Sequence, residues 1–287
     1  MAPNTLYPIQ TTKQPGPSMT NSSAVLILID GVRPDALSAV DCPHIDALCA
    51  RGAWTLQATS LIPSITLPCI TSILHSLPPQ DHSVLTNDWV ELAHPVLGLI
   101  DLAHEAGLFT ASFYNWEPLR DLSQPGSLSL SIFRANSHDP EGDQILAEEA
   151  ARLIRIEEDS FSFVYFGTVD AAGHTYGWMS DEYLAQLARV DRALGTLLSA
   201  LPADTTVLVQ ADHGGHGFVH GTEAPEDMLI PWIIAGPNIR RGYEIQGPVS
   251  LLDTAPTLAR ALGIAPHPEW EGRPVEEIYD RTGSDTD

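Results

Sequence analysis

Val25-Leu26-Ile27-Leu28-Ile29-Asp30-Gly31 is the stretch from which the fold is read. Five consecutive apolar residues, β-branched in part, stop at an acidic residue and a glycine. An apolar run this short and continuous is the pattern of a strand buried on both faces, as in a parallel sheet covered by helices. Outward from it, strand and helix patterns alternate. A helix is expected over residues 44–50, with Gly52 as its C-terminal cap. A strand follows over 53–59. A second helix starts at Thr66, with Pro68 in its first turn, where a missing N–H costs little. Residues 92–106 read as a helix that stops at Gly107 with Pro95 in its first turn, and 108–114 read as a strand. Residues 115–140, rich in Ser, Pro and Gly, read as a long loop of the kind that carries substrate contacts. Beyond it the patterns give a helix over 144–156 and a strand over 161–166, followed by a polar segment holding Asp170 and His174. An amphipathic helix over 181–201, strands over 205–209 and 230–235, and a helix over 251–262 complete the chain. This alternation predicts the α/β class: a three-layer α/β/α sandwich with a largely parallel central sheet.

The bulk properties set bounds. With 287 residues and 44% hydrophobic side chains, the chain can bury a large core and is globular. Residues 1–23, polar and rich in Pro, Ser and Thr, are expected to be a flexible arm. Residues 24–287, without internal repeat or linker, are expected to be a single catalytic domain. No apolar run is long enough to span a membrane. The N-terminus lacks the apolar stretch of a secretory signal. Three cysteines, Cys42, Cys49 and Cys69, make an odd, low count that argues against a disulfide scaffold. A cytoplasmic location is the expectation. The formal net charge of −23 disfavours binding to a nucleic acid polymer or an anionic membrane. Plain solubility is its simplest meaning. An acidic chain that handles phosphate, however, needs a local source of positive charge, and bound metal ions are one such source.

Three of the predicted strands run into Asp or His. Asp30 follows the first, Asp170 and His174 follow the strand at 161–166, and Asp212 and His213 follow the strand at 205–209. In open α/β sheets the carboxyl ends of the strands converge on one rim, where ligands bind. Carboxylate and imidazole are donors suited to zinc and similar ions. Asp170 and His174, four apart, can serve one ion from a short turn. The segment Asp212-His213-Gly214-Gly215-His216-Gly217-Phe218-Val219-His220-Gly221 adds two further histidines, and its glycines let backbone pass close to an ion. Taken singly, each residue has an ordinary reading. An Asp after a strand is usually a cap or turn residue, and Thr66 alone would be read as a helix N-cap.

Together the segments resemble a family. Leu28-Ile29-Asp30-Gly31, Pro63-Ser64-Ile65-Thr66-Leu67-Pro68, Asp170-Ala171-Ala172-Gly173-His174, Asp212-His213-Gly214, His220-Gly221 before Ile230-Pro231, and Leu252-Asp253-Thr254-Ala255-Pro256-Thr257 are similar to motifs of the alkaline phosphatase superfamily. Within it they most resemble the nucleotide pyrophosphatase/phosphodiesterase branch. The resemblance runs from about residue 24 to 278. It implies two divalent ions, zinc first and manganese second. Asp30, Thr66, Asp212 and His213 would hold one; Asp170, His174 and His220 would hold the other. His220 fits the family pattern better than His216, which stays open as a substitute or as an outer contact. The resemblance also implies that Thr66 is the nucleophile and that Asn87 donates to a phosphoryl oxygen. The charges agree: two dications against Asp30, Asp170, Asp212 and an ionised Thr66 sum to zero, so an anionic phosphate is not repelled. Backbone N–H groups at the helix start would face the phosphate.

The expected activity is hydrolysis of a small-molecule phosphate ester, a phosphodiester or nucleotide pyrophosphate, through a covalent phospho-threonine. A phosphomonoesterase on the same site, a phosphotransferase and a metal-binding protein without turnover are the alternatives. Arg33 and Arg120 are read as surface ion pairs rather than phosphate contacts. Trp89, Tyr114, Trp116, Tyr176 and Trp178 are the aromatics from which a stacking partner could come, packing being the ordinary role. The chain departs from the branch after Thr66-Leu67-Pro68, where Cys69-Ile70 stands in place of Asn-His. Cys69 also lacks the following Pro and Arg of a sulfatase motif, and is read as a buried, small apolar residue.

Overall fold

The computed structural model describes residues 23–93, 96–154 and 159–279. In chain order its elements are β1 (Ala24–Ile29), α1 (Pro34–Ala39), α2 (Pro43–Arg51), β2 (Ala53–Thr59), α3 (Thr66–His75), α4 (Pro79–His82), α5 (Leu99–Glu105), β3 (Phe109–Tyr114), β4 (Leu130–Phe133), α6 (Gly142–Leu153), β5 (Ser160–Phe166), α7 (Thr168–Tyr176), α8 (Asp181–Ala200), β6 (Thr206–Gln210), α9 (Pro225–Met228), β7 (Leu229–Ala235), β8 (Tyr243–Glu244) and α10 (Thr254–Ala261). Among the described residues the strands form one sheet in the order β4-β3-β5-β1-β6-β7-β2-β8. Neighbours from β4 through to β6 are parallel, β7 runs antiparallel to both β6 and β2, and β8 is parallel to β2. The sheet is therefore mixed and largely parallel. Helices α1, α2, α6 and α7 gather around α8 on one face, while α3, α5 and α10 pack together on the other. This is the three-layer α/β/α arrangement expected from the alternation.

Burial follows the sequence pattern. Every residue of β1, β5 and β6 is buried, which is why these strands read as unbroken apolar runs. The long helix α8 buries one stripe, including Tyr183, Leu187, Val190, Leu194 and Leu197, against the sheet. It starts where Ser180 accepts the Tyr183 N–H at 3.2 Å. Helix α3 is buried along its whole length. It is a core element, and its N-terminus meets the rim at the carboxyl end of β2.

Several local expectations need correction. Gly52 caps α2 as expected, its N–H donated to the Cys49 carbonyl at 3.4 Å, but with an extended φ of −140° rather than a left-handed one. Its small size is needed because a Cβ there would stand 2.1 Å from the Ile234 carbonyl oxygen. The helix expected over 92–106 is only Leu99–Glu105. Gly98 starts it, with its N–H donated to Asp101 at 2.9 Å, and Pro95 lies outside the described residues. Residues 115–140 contain a 3-10 turn, Glu117–Asp121, and the edge strand β4. The apolar alternation of β4 is too short to stand out among the turn residues around it. The segment after β5 is a helix, α7, so Asp170 and His174 sit one turn apart on a helical face. Of the arm expected over 1–23, all but Ser23 lies outside the described residues, as does the end of the helix expected to reach residue 156.

Candidate active site

Asp30 follows β1 directly, Asp212 stands two residues beyond β6, Asp170 is in the first turn of α7 after β5, and Thr66 opens α3 after β2. Four carboxyl ends thus deliver four side chains to one place. Asp30, Asp212 and His213 offer ligand atoms all within 4.8 Å of one another, and Asp170, His174 and His220 form a second such group. The two groups touch, because the rings of His213 and His220 stack with centroids 3.8 Å apart. His216 belongs to neither. Its Nδ1 pairs with Asp227 at 2.7 Å, so of the two histidines left open it is His220 that faces Asp170.

In the first group His213 Nε2 lies 3.1 Å from Thr66 Oγ1, 3.3 Å from Asp30 Oδ1 and 3.5 Å from Asp212 Oδ2. In the second group His220 Nε2 lies 3.2 Å from His174 Nε2 and 3.7 Å from Asp170 Oδ1. All three histidines turn Nδ1 outward to a backbone carbonyl: His213 to Gly214 at 2.8 Å, His220 to Ser64 at 2.8 Å, His174 to Phe218 at 2.9 Å. A carbonyl only accepts, so the proton is assigned to Nδ1 and the Nε2 lone pair points into the cluster. This is how metal-binding histidines are oriented.

The donor set fits a pair of cations. Three buried carboxylate oxygens, Asp30 Oδ1, Asp170 Oδ1 and Asp212 Oδ2, have no hydrogen-bond partner among the described residues. Such atoms are costly unless a cation satisfies them. The Nε2 atoms of His174 and His220 face each other with lone pairs and no proton between. Burial, then the Asp212 charge, raises the Asp30 pKa well above the usual range, and burial with the Asp30 charge does the same for Asp170. Asp212 is pushed up to about 7 by burial and by Asp170. Burial and the neighbouring His213 push His220 down to about 3, which keeps it neutral. Mixed carboxylate and imidazole donors suit zinc or manganese. The two groups differ in access. Asp30, Asp212 and His213 are buried, whereas the His174 side chain is 44% exposed. The second group therefore forms the open rim.

Outer contacts hold these ligands. Tyr165 donates its hydroxyl to Asp30 Oδ2, a role that sequence reasoning missed. The sequence carries no signal for it, because β5 lies beside β1 only in the folded sheet, where Tyr165 pairs with Leu28 two residues before Asp30. Asp212 Oδ1 accepts the N–H groups of Gly31 at 3.3 Å and His213 at 3.0 Å. Gly31 has φ +70°, and a Cβ there would come within 3.1 Å of the Asp170 Cα, so no other residue lets β1 turn this tightly past α7. Trp178 lies between Gly173 and Gly215 under the histidines and donates Nε1 to the Gly31 carbonyl at 2.9 Å. It is a packing residue rather than a stacking platform. Tyr114 is buried and stacked on Phe133, and Trp116 packs half-buried against the core. Trp89 and Tyr176 remain exposed.

The start of α3 corrects a further expectation. Asn87 Oδ1 accepts the Leu67 N–H at 3.0 Å, Pro68 has no N–H, and Cys69 N–H returns to Ile65. Of the first turn, only the Thr66 N–H is left for an anion. The same bond orients the Asn87 amide so that its NH₂ is the half available to a ligand. Arg33 is held by Asp35 at 2.6 Å and by the Gly215 carbonyl, and Arg120 by Glu117 and Asp121. Cys69 is fully buried and its thiol is pushed up to about 12 by burial, so it is no nucleophile.

The sequence profile of the family described as type I phosphodiesterase / nucleotide pyrophosphatase matches residues 24–98 and 104–221. Mouse ectonucleotide pyrophosphatase/phosphodiesterase family member 7 is 24% identical over 225 residues, which cover 69% of this chain and 51% of that protein. Rat family member 3 is 26% identical over 216 residues, covering 66% and 24%. The chain thus spans only about a quarter to a half of the curated relatives it matches. Among solved structures, murine ectonucleotide pyrophosphatase/phosphodiesterase 5, an inactive threonine-to-alanine variant in complex with AMP, superposes with a TM-score of 0.78 at 14% identity, covering 90% of this chain and all of that one. A phosphonate monoester hydrolase from Silicibacter pomeroyi gives 0.71 at 16% identity, covering 88% and 75%. At these identities the likeness speaks to fold, and the fold is that of the alkaline phosphatase superfamily.

Proposed function

The chain belongs to the type I phosphodiesterase / nucleotide pyrophosphatase family, and on that premise we propose that it hydrolyses small phosphodiesters with Thr66 as nucleophile. The observation that carries the reading is the pair of inward-facing donor groups with the buried hydroxyl of Thr66 3.1 Å from His213 Nε2. Asp30, Thr66, Asp212 and His213 would hold one divalent ion and Asp170, His174 and His220 the other, zinc first and manganese second. When bound, the ions supply positive charge that favours an ionised Thr66 and neutralises phosphoryl and leaving oxygens.

Thr66 Oγ forms a bond to phosphorus in line with the departing ester oxygen. That P–O bond breaks, the alcohol leaves with a proton from water, and the phosphate stays on Thr66. Water then attacks the same phosphorus from the vacated side, the Thr66 bond breaks, and a phosphomonoester is released. Asn87 Nδ2 donates to a non-bridging oxygen, its orientation set by the Leu67 N–H. Tyr165 holds Asp30, and the Nδ1–carbonyl bonds hold the three imidazoles. Burial of the Thr66 side excludes bulk water from the nucleophile.

A diester is favoured over a monoester because Arg33 and Arg120, the two candidates for a phosphate contact, are engaged elsewhere. Among the described residues, neither of these two guanidinium groups is then left free for a third phosphoryl oxygen. All three thiols are free, in keeping with a cytoplasmic location. The test is a panel of nitrophenyl monoester, diester, phosphonate and sulfate substrates, with and without chelator, on wild type and Thr66→Ala. The expected result is metal-dependent diester cleavage that falls by about a thousandfold or more in Thr66→Ala. Full activity in that variant removes Thr66 as nucleophile.

A further inference from the structure

We propose that a short hairpin over the open end of the site is a subsite for a flat, uncharged leaving group, aromatic rather than polyphosphate; this rests on the phosphodiesterase reading above. His216 and Val219 exchange backbone hydrogen bonds of 2.9 and 3.0 Å, which leaves Gly217-Phe218 as a two-residue turn. Its tip is exposed: Phe218 is 59% accessible and Val219 53%, and Tyr176 beside them is 54% accessible. The Phe218 ring lies against Gly177, the residue after Tyr176, where a Cβ would stand 3.5 Å from it.

The tip is fixed from three sides. At its base His216 Nδ1 pairs with Asp227 at 2.7 Å, and the fully buried Asp227 also accepts the Thr222 N–H and hydroxyl. The Trp178 N–H donates to the Gly217 carbonyl at 2.8 Å. His174 Nδ1 donates to the carbonyl of Phe218 itself at 2.9 Å. The residue that orients an imidazole of the open donor group therefore also presents the apolar platform. Holding such side chains in water on a rigid turn is unfavourable unless something covers them.

Position and charge identify the occupant. From Thr66 the contacts run through His213 and His220 to His174 and then Phe218. The hairpin is thus reached from Thr66 only through both donor groups, and the proposal assigns it to the side on which an in-line leaving group departs. Residues 167–188 and 211–228 contain no Lys or Arg, and Arg33, which touches Gly215, is paired with Asp35. A pyrophosphate leaving group would find no side-chain cation here, in a chain of net charge −23. Three half-exposed side chains offer on the order of 300 Å². That suits an aromatic ring and falls well short of the roughly 800 Å² per partner of a stable protein interface.

The test compares benzylphosphonate with methylphosphonate by titration calorimetry on the zinc-loaded protein, wild type and Phe218→Ser with Tyr176→Ser. Wild type is expected to bind the benzyl compound about 5- to 10-fold tighter, and the double variant to bind both alike. In turnover, the same variant should raise KM for a methyl nitrophenyl diester by a similar factor. A wild type without the benzyl preference, or a preference that survives the substitutions, overturns the proposal. So does a variant that changes only the oligomeric state in sedimentation. A benzyl preference in a protein that turns over no ester supports the subsite and removes the hydrolase reading.

Discussion

Single side chains set the chemistry of this site through their partners. Tyr165 illustrates the point, because its buried hydroxyl donates to Asp30 and so holds that carboxylate in place. Contacts of this kind are worth 10- to 100-fold in metal affinity or activity. Tyr165→Phe is therefore expected to weaken zinc binding by about that factor, read by competition with a chromophoric chelator, while the fold stays intact by circular dichroism. An unchanged affinity would make Tyr165 a packing residue. Cys69 gives the opposite expectation. It stands three residues beyond Thr66, but its sulfur faces Ser60 and the Leu61 and Pro63 carbonyls. Cys69→Ala should retain diester turnover and lose about 1 kcal/mol of stability in urea unfolding, from the lost atom in a packed core. Loss of turnover at wild-type stability would give the thiol a chemical role that its burial denies it.

Elements contribute by where their ends point. Helix α3 brings Thr66 to the rim, and its first turn is closed by Asn87 rather than left open to an anion. Asn87→Ala removes a cap and, with it, the proposed donor to the phosphoryl group. The expected result is a loss of about 1 kcal/mol in stability together with a fall in kcat of about 100-fold or more. A stability loss with kcat unchanged would assign Asn87 to capping alone. Helix α7 and the loop after β6 close on Trp178 from both sides, with no room for a Cβ at Gly173 or Gly215. Gly215→Ala would put a methyl 2.2 Å from the indole ring, so the loop must shift. A cost of about 1–3 kcal/mol follows from overpacking. Because His213, His216 and His220 ride on that loop, zinc affinity should fall with stability, measured on the same variant.

The whole molecule concentrates three carboxylates at the centre of an acidic chain, and its pH response in the metal-free form follows from that. Burial raises Asp30 and Asp170 well above their unfolded values, Asp212 to about 7 and Asp143 to about 6. An acid whose folded pKa lies above its unfolded one makes the native state bind the extra proton. Stability is then highest at low pH and falls as pH rises from the unfolded value through the folded one. The buried histidines oppose this. His75 is lowered by burial, His82 to about 4 and His220 to about 3, so stability is lost as pH falls below their unfolded value of about 6.5. With chelator present, the melting temperature should therefore rise as pH is lowered from about 8 to 6.5 and flatten or turn over below that. Saturating zinc should raise the melting temperature at pH 7.5 by on the order of 10 °C and remove the rise, because the carboxylates stay ionised. A chelated protein that loses stability steadily between pH 8 and 6.5 contradicts the clustering of buried carboxylates.

What could be read from the amino-acid order was whatever repeats or ends locally. The apolar runs at β1, β5 and β6 announce buried strands because both faces of each are covered, and the Asp or His after each run marks the rim. Thr66 was legible as a helix start, and the grouping of Asp30, Asp212 and His213 apart from Asp170, His174 and His220 through likeness to a known pattern. The edge strand β4, the antiparallel direction of β7, the reason for Gly52 and the role of Tyr165 were decided only in three dimensions. Each depends on a neighbour distant in the chain: β3 for β4, β2 and β6 for β7, Ile234 for Gly52 and Asp30 for Tyr165. Local periodicity reports which face of an element is dry. It carries no record of which element dries it, and that pairing sets strand direction, close approaches and the hydrogen bonds that aim each ligand.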